Sequence, residues 1–210
     1  MTRPDLLAGE HLPPQPVQNR SREKRLRLKA AGLALFAEKG YERTSIDEIA
    51  ARAGLAVGGF YQHYRSKRQL LLALMDELIE NLNQLDLRPK ETANIRDGLR
   101  NFLSRALSTD LQYLGAYRAW QEAVISEPAL ARKQEEIRAW SVKRVFTAFS
   151  LLQQLPGSRR EADVQGLAQV MDSFFWSLMA EATMLSEAQL RHWIESATHL
   201  IYHALFMDQP

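Results

Sequence analysis

The residues of this chain best suited to handling an anion lie close together. Gly58 and Gly59 stand just ahead of Tyr61, His63 and Lys67 in the run GLAVGGFYQHYRSK, residues 54–67. A glycine pair strips side chains from the first turn of a helix, so its backbone N–H groups can approach a phosphate at the positive helix end. The lost helix propensity, about 1 kcal/mol per glycine against alanine, is then the cost of that approach. Tyr61 and His63 add polar tips and Lys67 adds a charge. The plainer alternative is a surface loop whose glycines serve turn geometry.

Other chemistries have less to stand on. His199 and His203, one helical turn apart, have the spacing of a metal pair. No acid or third ligand is spaced to complete the site, and Glu195 points elsewhere. With His192 and Ser196 they read better as a polar strip in a subunit interface. The chain has no cysteine, which removes disulfides, thiolate nucleophiles and cysteine-bearing zinc sites. It also lacks H-E-x-x-H, G-x-S-x-G and a phosphate loop, so neither an enzyme nor a bound cofactor is expected. No apolar run approaches the roughly 20 residues of a membrane span, and the first residues lack the apolar stretch of a signal peptide. A cytoplasmic protein without a membrane partner is expected.

The elements that must position these residues can be read from spacing. Residues 1–18 carry Pro4, Pro13, Pro14 and Pro16 without periodicity, and a mobile tail is expected over about 1–20. A basic cluster follows, Arg20, Arg22, Lys24, Arg25, Arg27 and Lys29. Leu28, Ala31, Leu35 and Phe36 recur at helical spacing, predicting a helix from about Ser21 to Lys39 that Gly40 stops. Thr44 and Ser45 are capping candidates, and Glu48 lies three residues after Ser45, the capping-box spacing. A helix of about nine residues with Ile46, Ile49, Ala50 and Ala53 on one face ends at Gly54; helical spacing resumes over 56–64. Two short helices around a glycine turn match a helix-turn-helix, whose second helix enters the major groove. Charge agrees. Residues 1–70 hold 13 Lys and Arg against 7 Asp and Glu, while residues 71–210 hold 14 against 18. The first third is the part suited to a polyanion.

The run ALFAEKGYERTSIDEIAARAGLAVGGFYQHYRSKRQLL, residues 34–72, closely resembles the DNA-binding segment of TetR-family transcriptional regulators. The resemblance implies an all-α homodimer. A three-helix helix-turn-helix domain would be joined by a long helix to a larger helical domain for effector binding and dimerisation, about nine helices in all. On this reading the DNA-binding domain and its connecting helix span 21–80, with the motif at about 45–64, and the second domain spans 81–207. The partners would be double-stranded operator DNA and a small apolar or aromatic effector, with repression the expected sign; the alternative is a DNA-binding regulator that needs no effector. Carried over onto matching positions, backbone contacts fall to Thr44, Ser45, Tyr61, His63 and Lys67; Arg22, in the basic cluster ahead of the matching run, is a further expected DNA contact. Base-edge contacts fall to Ala56, Val57, Gly58 and Gly59. Ala56 and Val57 stand where many relatives have Ser, Lys or Thr, so direct readout would be thin, a thymine methyl against Val57 at most.

From Ser66 the composition turns apolar. A connecting helix to about Leu85, a break at Pro89, and helices over about 92–108, 110–126, 128–155, 160–185 and 186–207 are expected, with turns at Pro128 and Pro156-Gly157. Tyr113, Tyr117, Trp120 and Val124 form an aromatic stripe, either plain core or one wall of an effector pocket. On 164–185, Leu167, Val170, Met171, Phe174, Phe175 and Leu178 share one side, which would complete the pocket through Phe174, Phe175 and Glu181. Gln169, Ser173, Trp176 and Ala180 share the other, a small uncharged face suited, with His199 and His203, to a partner subunit.

Overall fold

The structure, a computed structural model, describes residues 2–14, 19–88 and 94–207. It is all-helical: α1(Asn19–Lys39), α2(Ile46–Arg52), α3(Val57–Tyr61), α4(Lys67–Asn83), α5(Ile95–Leu111), α6(Leu114–Ser126), α7(Pro128–Leu152), α8(Val164–Glu181), a 3-10 turn at Ala182–Met184, and α9(Glu187–Leu205). Among the described residues no strand forms, apart from an isolated bridge between Ser158 and Phe206.

Local chemistry explains the boundaries. Gly40 closes α1 with φ +79, the left-handed backbone that a side chain disfavours. Ser45 caps α2 in a full capping box with Glu48, and Ser186 does the same for α9 with Gln189. Asp163 caps α8 through the Gly166 N–H. Pro128 opens α7, where its missing N–H costs nothing. Pro16 and Pro89, both expected to interrupt structure, lie outside the described residues.

The chain forms two compact units, Met1–Asn83 with Gln112–Gln134, and Gln84–Leu111 with Glu135–Pro210. This departs from the expected linear division near residue 80. Helix α6 folds with this first unit because it packs on α1 and α4, with Gly115 close on the α1 backbone. Tyr113, Tyr117 and Trp120 join Leu28, Phe36, Phe60, Tyr64, Leu70 and Leu74 in the covered interior of that unit. The second unit has its own core of Leu99, Phe149, Ala168, Ile201, Leu205 and Phe206.

The proline-bearing opening is no free tail over residues 2–14. Arg3 bridges Asp76 (2.7 Å) and Glu80 (2.6 Å) on α4. Leu6 is fully buried, with its N–H on Asp76, and Glu10 pairs with Arg68. Steps of three and four between an arginine, a leucine and a glutamate match acceptors and a cation along α4, which composition alone did not reveal.

Candidate nucleic-acid interface

The loop between α1 and α2 is bonded almost throughout. Thr44 is buried, and its hydroxyl donates to the Gly40 carbonyl at 2.6 Å. Its proton is thus used inside the fold, where a phosphate contact was expected. Lys67 is also engaged within the fold. Its ammonium donates to the carbonyls of Tyr41 (2.7 Å), Glu42 (3.3 Å) and Thr44 (3.1 Å), and sits 4.3 Å from the Tyr41 ring centroid. With three N–H groups on three carbonyls, it holds the loop. Ser45 is exposed, but Glu48 accepts from both its N–H and its hydroxyl, each at 2.9 Å. Lys39 and these Ser45 donors hold the Glu48 carboxyl down at about 2.

Helix α3 is the opposite. Its N-cap, Ala56, makes no side-chain cap bond. Ala56, Val57 and Gly58 are exposed, Gly59 is partly exposed, and Tyr61 is 51 % exposed with its ring edge-on to Phe60. A Cβ built on Gly58 meets nothing within 4 Å, and one on Gly59 makes ordinary contact with Leu55. Neither glycine has the positive φ that Gly54 adopts (+66) in the preceding turn. Phe60 anchors the helix as its buried residue.

His63 departs from its expected role. It is 5 % exposed, and its Nε2 makes no hydrogen bond among the described residues. Burial, with Arg25 and Lys24 nearby, holds its imidazole below the usual histidine range, so it is uncharged at neutral pH. It is covered rather than presented to a phosphate.

The basic cluster lies on α1. Arg22 is exposed, Arg25 rests on Tyr64 with its Nε on the phenol oxygen at 3.2 Å, and Lys29 pairs with Glu77. Gln62 and Arg65, exposed beside Tyr61, were not singled out from sequence. Their signal was available, since they follow α3 in the same polar run.

The residues expected at an effector pocket divide between the two units. Within the first, Tyr113 accepts a hydrogen bond from Asn81 (2.9 Å) and Trp120 donates to Gln134. Burial, then Glu77, pushes the Tyr113 phenol up to about 12. Within the second, Phe174 is 37 % exposed and stacked on Trp193 at 3.7 Å, so it does not join the core as expected; nor does Val170, 65 % exposed. The helical rotation sets both at the margin of the apolar side, where Asp172, buried against Arg138, lies on the inner side instead. Phe175 is partly buried and Glu181 is exposed. Gln169, Ser173 and Ala180 share the exposed face with Val170 and Phe174. Trp176 and His203 are partly buried, and His199 is exposed, 3.4 Å from Arg96. Among the described residues no group of three or more His, Cys, Asp or Glu is placed to hold a metal, and no helix is long and apolar enough to cross a membrane.

Residues 28–74 match the family described as bacterial regulatory proteins, tetR family. The chain is 42 % identical over 57 residues to an uncharacterized HTH-type transcriptional regulator, YerO, of Bacillus subtilis, a stretch covering 27 % of this chain and 20 % of that one. It is 40 % identical over 60 residues to the HTH-type transcriptional activator FasR of Mycolicibacterium smegmatis, covering 29 % and 27 %. Thus the chain spans about a fifth to a quarter of the length of these curated relatives. The SmeT–triclosan complex matches its fold with a TM-score of 0.66 over 88 % of this chain and 92 % of that one, at 21 % identity.

Proposed function

We propose that this chain, whose residues 28–74 form a TetR-family DNA-binding domain, is a sequence-specific transcriptional regulator: a homodimeric repressor released from operator DNA by a small apolar or aromatic effector. The observation that carries the reading is the bare outer side of α3. The fold makes no use of glycine at 58, since φ there is ordinary and a side chain would have open space. Something outside the chain accounts for a residue that weakens its own helix, and a duplex backbone pressed against α3 does so. Ala56, Val57, Gly58, Gly59 and Tyr61 then face the groove, with Arg22 approaching a phosphate.

The test is Gly58→Ala against duplexes selected by the wild type from a random pool. The added methyl should leave the melting temperature unchanged or slightly higher, since alanine is the better helix former by up to about 1 kcal/mol. Affinity should fall at least ten-fold. Wild-type affinity in this variant removes the close approach.

The exposed face of α8, with Ser173, Ala180 and the apolar Val170 and Phe174, and the exposed His199 and Leu200 of α9 suit a two-fold contact. Light scattering on the full chain reads that directly. Effector binding rests on the family and on triclosan being bound by the structural relative. Triclosan and similar aromatics are therefore the first probes, and a raised melting temperature with altered tryptophan emission is expected. Ten-fold release of DNA requires about 1.4 kcal/mol of preference for the DNA-incompetent state.

A further inference from the structure

The loop from Gly40 to Thr44 carries the chain from α1 to the cap of α2, and two helices reach it. Lys67 of α4 takes its carbonyls. Glu122 of α6 takes its amides, accepting from the N–H groups of Tyr41 (2.7 Å) and Glu42 (3.2 Å). The fit is close: a Cβ on Gly40 would stand 2.0 Å from a Glu122 oxygen. A carboxylate at the end of α1 is opposed by the helix dipole, which favours cations there. Its neighbours offset this. Arg118, one turn earlier on α6, donates to the Ala37 carbonyl at 2.6 Å and lies 3.7 Å from Glu122. One turn later the Ser126 hydroxyl donates to the Glu42 carboxylate (3.2 Å), and the Tyr41 hydroxyl donates to Glu127 (3.1 Å). Arg118, Glu122 and Ser126 thus form a polar strip along α6 laid on the loop, on a different face from the aromatic stripe.

We propose that Glu122 is a positioning residue for DNA binding: paired with Lys67 across the same loop, it fixes where α2, and with it α3, is held. Helix α6, and not α4 alone, then sets the pose of the reading helix. The proposal rests on the DNA-binding role of residues 28–74.

Glu122→Gln keeps the shape, and its one oxygen can still accept from both amides, but it removes the charge that strengthens those bonds and sets an NH2 donor toward Arg118. Amide hydrogen exchange at Tyr41 and Glu42 should quicken at least ten-fold with helicity intact. Affinity for duplexes selected by the wild type should fall about ten-fold at a temperature where the variant is fully folded. The slope of log K against log salt should not change, since no phosphate contact is lost. Glu122→Asp, which keeps the charge one methylene shorter, should recover part of both effects; if Glu122→Gln does not fold, it carries the test. Wild-type exchange and affinity, within two-fold, in a folded Glu122 variant overturn the proposal. Should the wild type select no duplex, the functional reading falls, while exchange at Tyr41 and Glu42 still decides the positioning.

Discussion

Between Gly40 and Glu48 almost every polar group has a partner in the fold; between Ala56 and Tyr61 the outward groups have hardly any. The first stretch spends Thr44, Ser45, Glu48, Lys67 and Glu122 on its own geometry. The second offers an uncapped helix start, two glycines with ordinary φ and a half-exposed tyrosine. Side chains used for holding cannot also be used for touching. The contrast separates residues that hold α3 in place from those that, on the proposed function, meet DNA, although both kinds sit within one short motif. Gly58→Ala probes the second stretch; the variants below probe the first.

The largest effect belongs to the contact that seats α6. A Cβ on Gly115 would lie 1.9 Å from the Leu33 carbonyl oxygen and 3.0 Å from the Ala37 nitrogen, both backbone atoms of α1. Neither can swing aside as a side chain can. Gly115→Ala should therefore cost about 3 kcal/mol, the upper end for overpacking, read as a loss of thermal stability with DNA binding lost in step. A variant as stable as the wild type would show that α6 is not seated through this contact, and would undercut the held half of the comparison.

Lys67→Met comes next. It leaves three carbonyls short of a charged donor, which should cost roughly 1.5–3 kcal/mol. The discriminating readout is salt. A lysine on a phosphate contributes about one unit to the slope of log K against log salt. A lysine committed to Tyr41, Glu42 and Thr44 contributes none. A slope flattened by one unit, with stability unchanged, would move Lys67 to the touching side.

Much of this was legible in the residues. Ser45 and Glu48 at a three-residue step, Gly40 after an apolar-periodic run, and Gly54 before Phe60 are local signals with local causes, and the helices stand within a few residues of where spacing places them. The direction of a side chain was harder to read. Lys67 and His63 have the types and positions of phosphate ligands, but loop carbonyls engage the half-buried Lys67 and burial covers His63. Glu122 was invisible because its partners are backbone amides some 80 residues away, which leave no mark on sequence pattern. The docked opening segment escaped for the same reason: the prolines are local, while Asp76 and Arg68 are distant in sequence. On α8 the aromatic stripe was visible, but Phe174 at its margin is stacked on Trp193 from the next helix.

The smallest expected effect isolates a single charge on the held side. Lys39, then the N–H and hydroxyl of Ser45, bring the Glu48 carboxyl from the ordinary 4.5 down to about 2. A depressed folded-state value stabilises the fold at pH above the unfolded value, and that stabilisation disappears as pH falls from about 4.5 to about 2. Glu48→Gln keeps an acceptor at the third helical position, so the capping box survives and the charge alone is removed. The wild type should melt slightly higher than this variant at pH 7, and the gap should close progressively below pH 4.5. Because Glu48 and Lys39 are both partly open to water, the gap should also shrink in 1 M salt. A gap that stays constant between pH 7 and pH 2.5 would mean that the box works through geometry alone. Holding in this loop would then owe nothing to the Glu48 charge, and the contrast with α3 would rest on hydrogen-bond partners only.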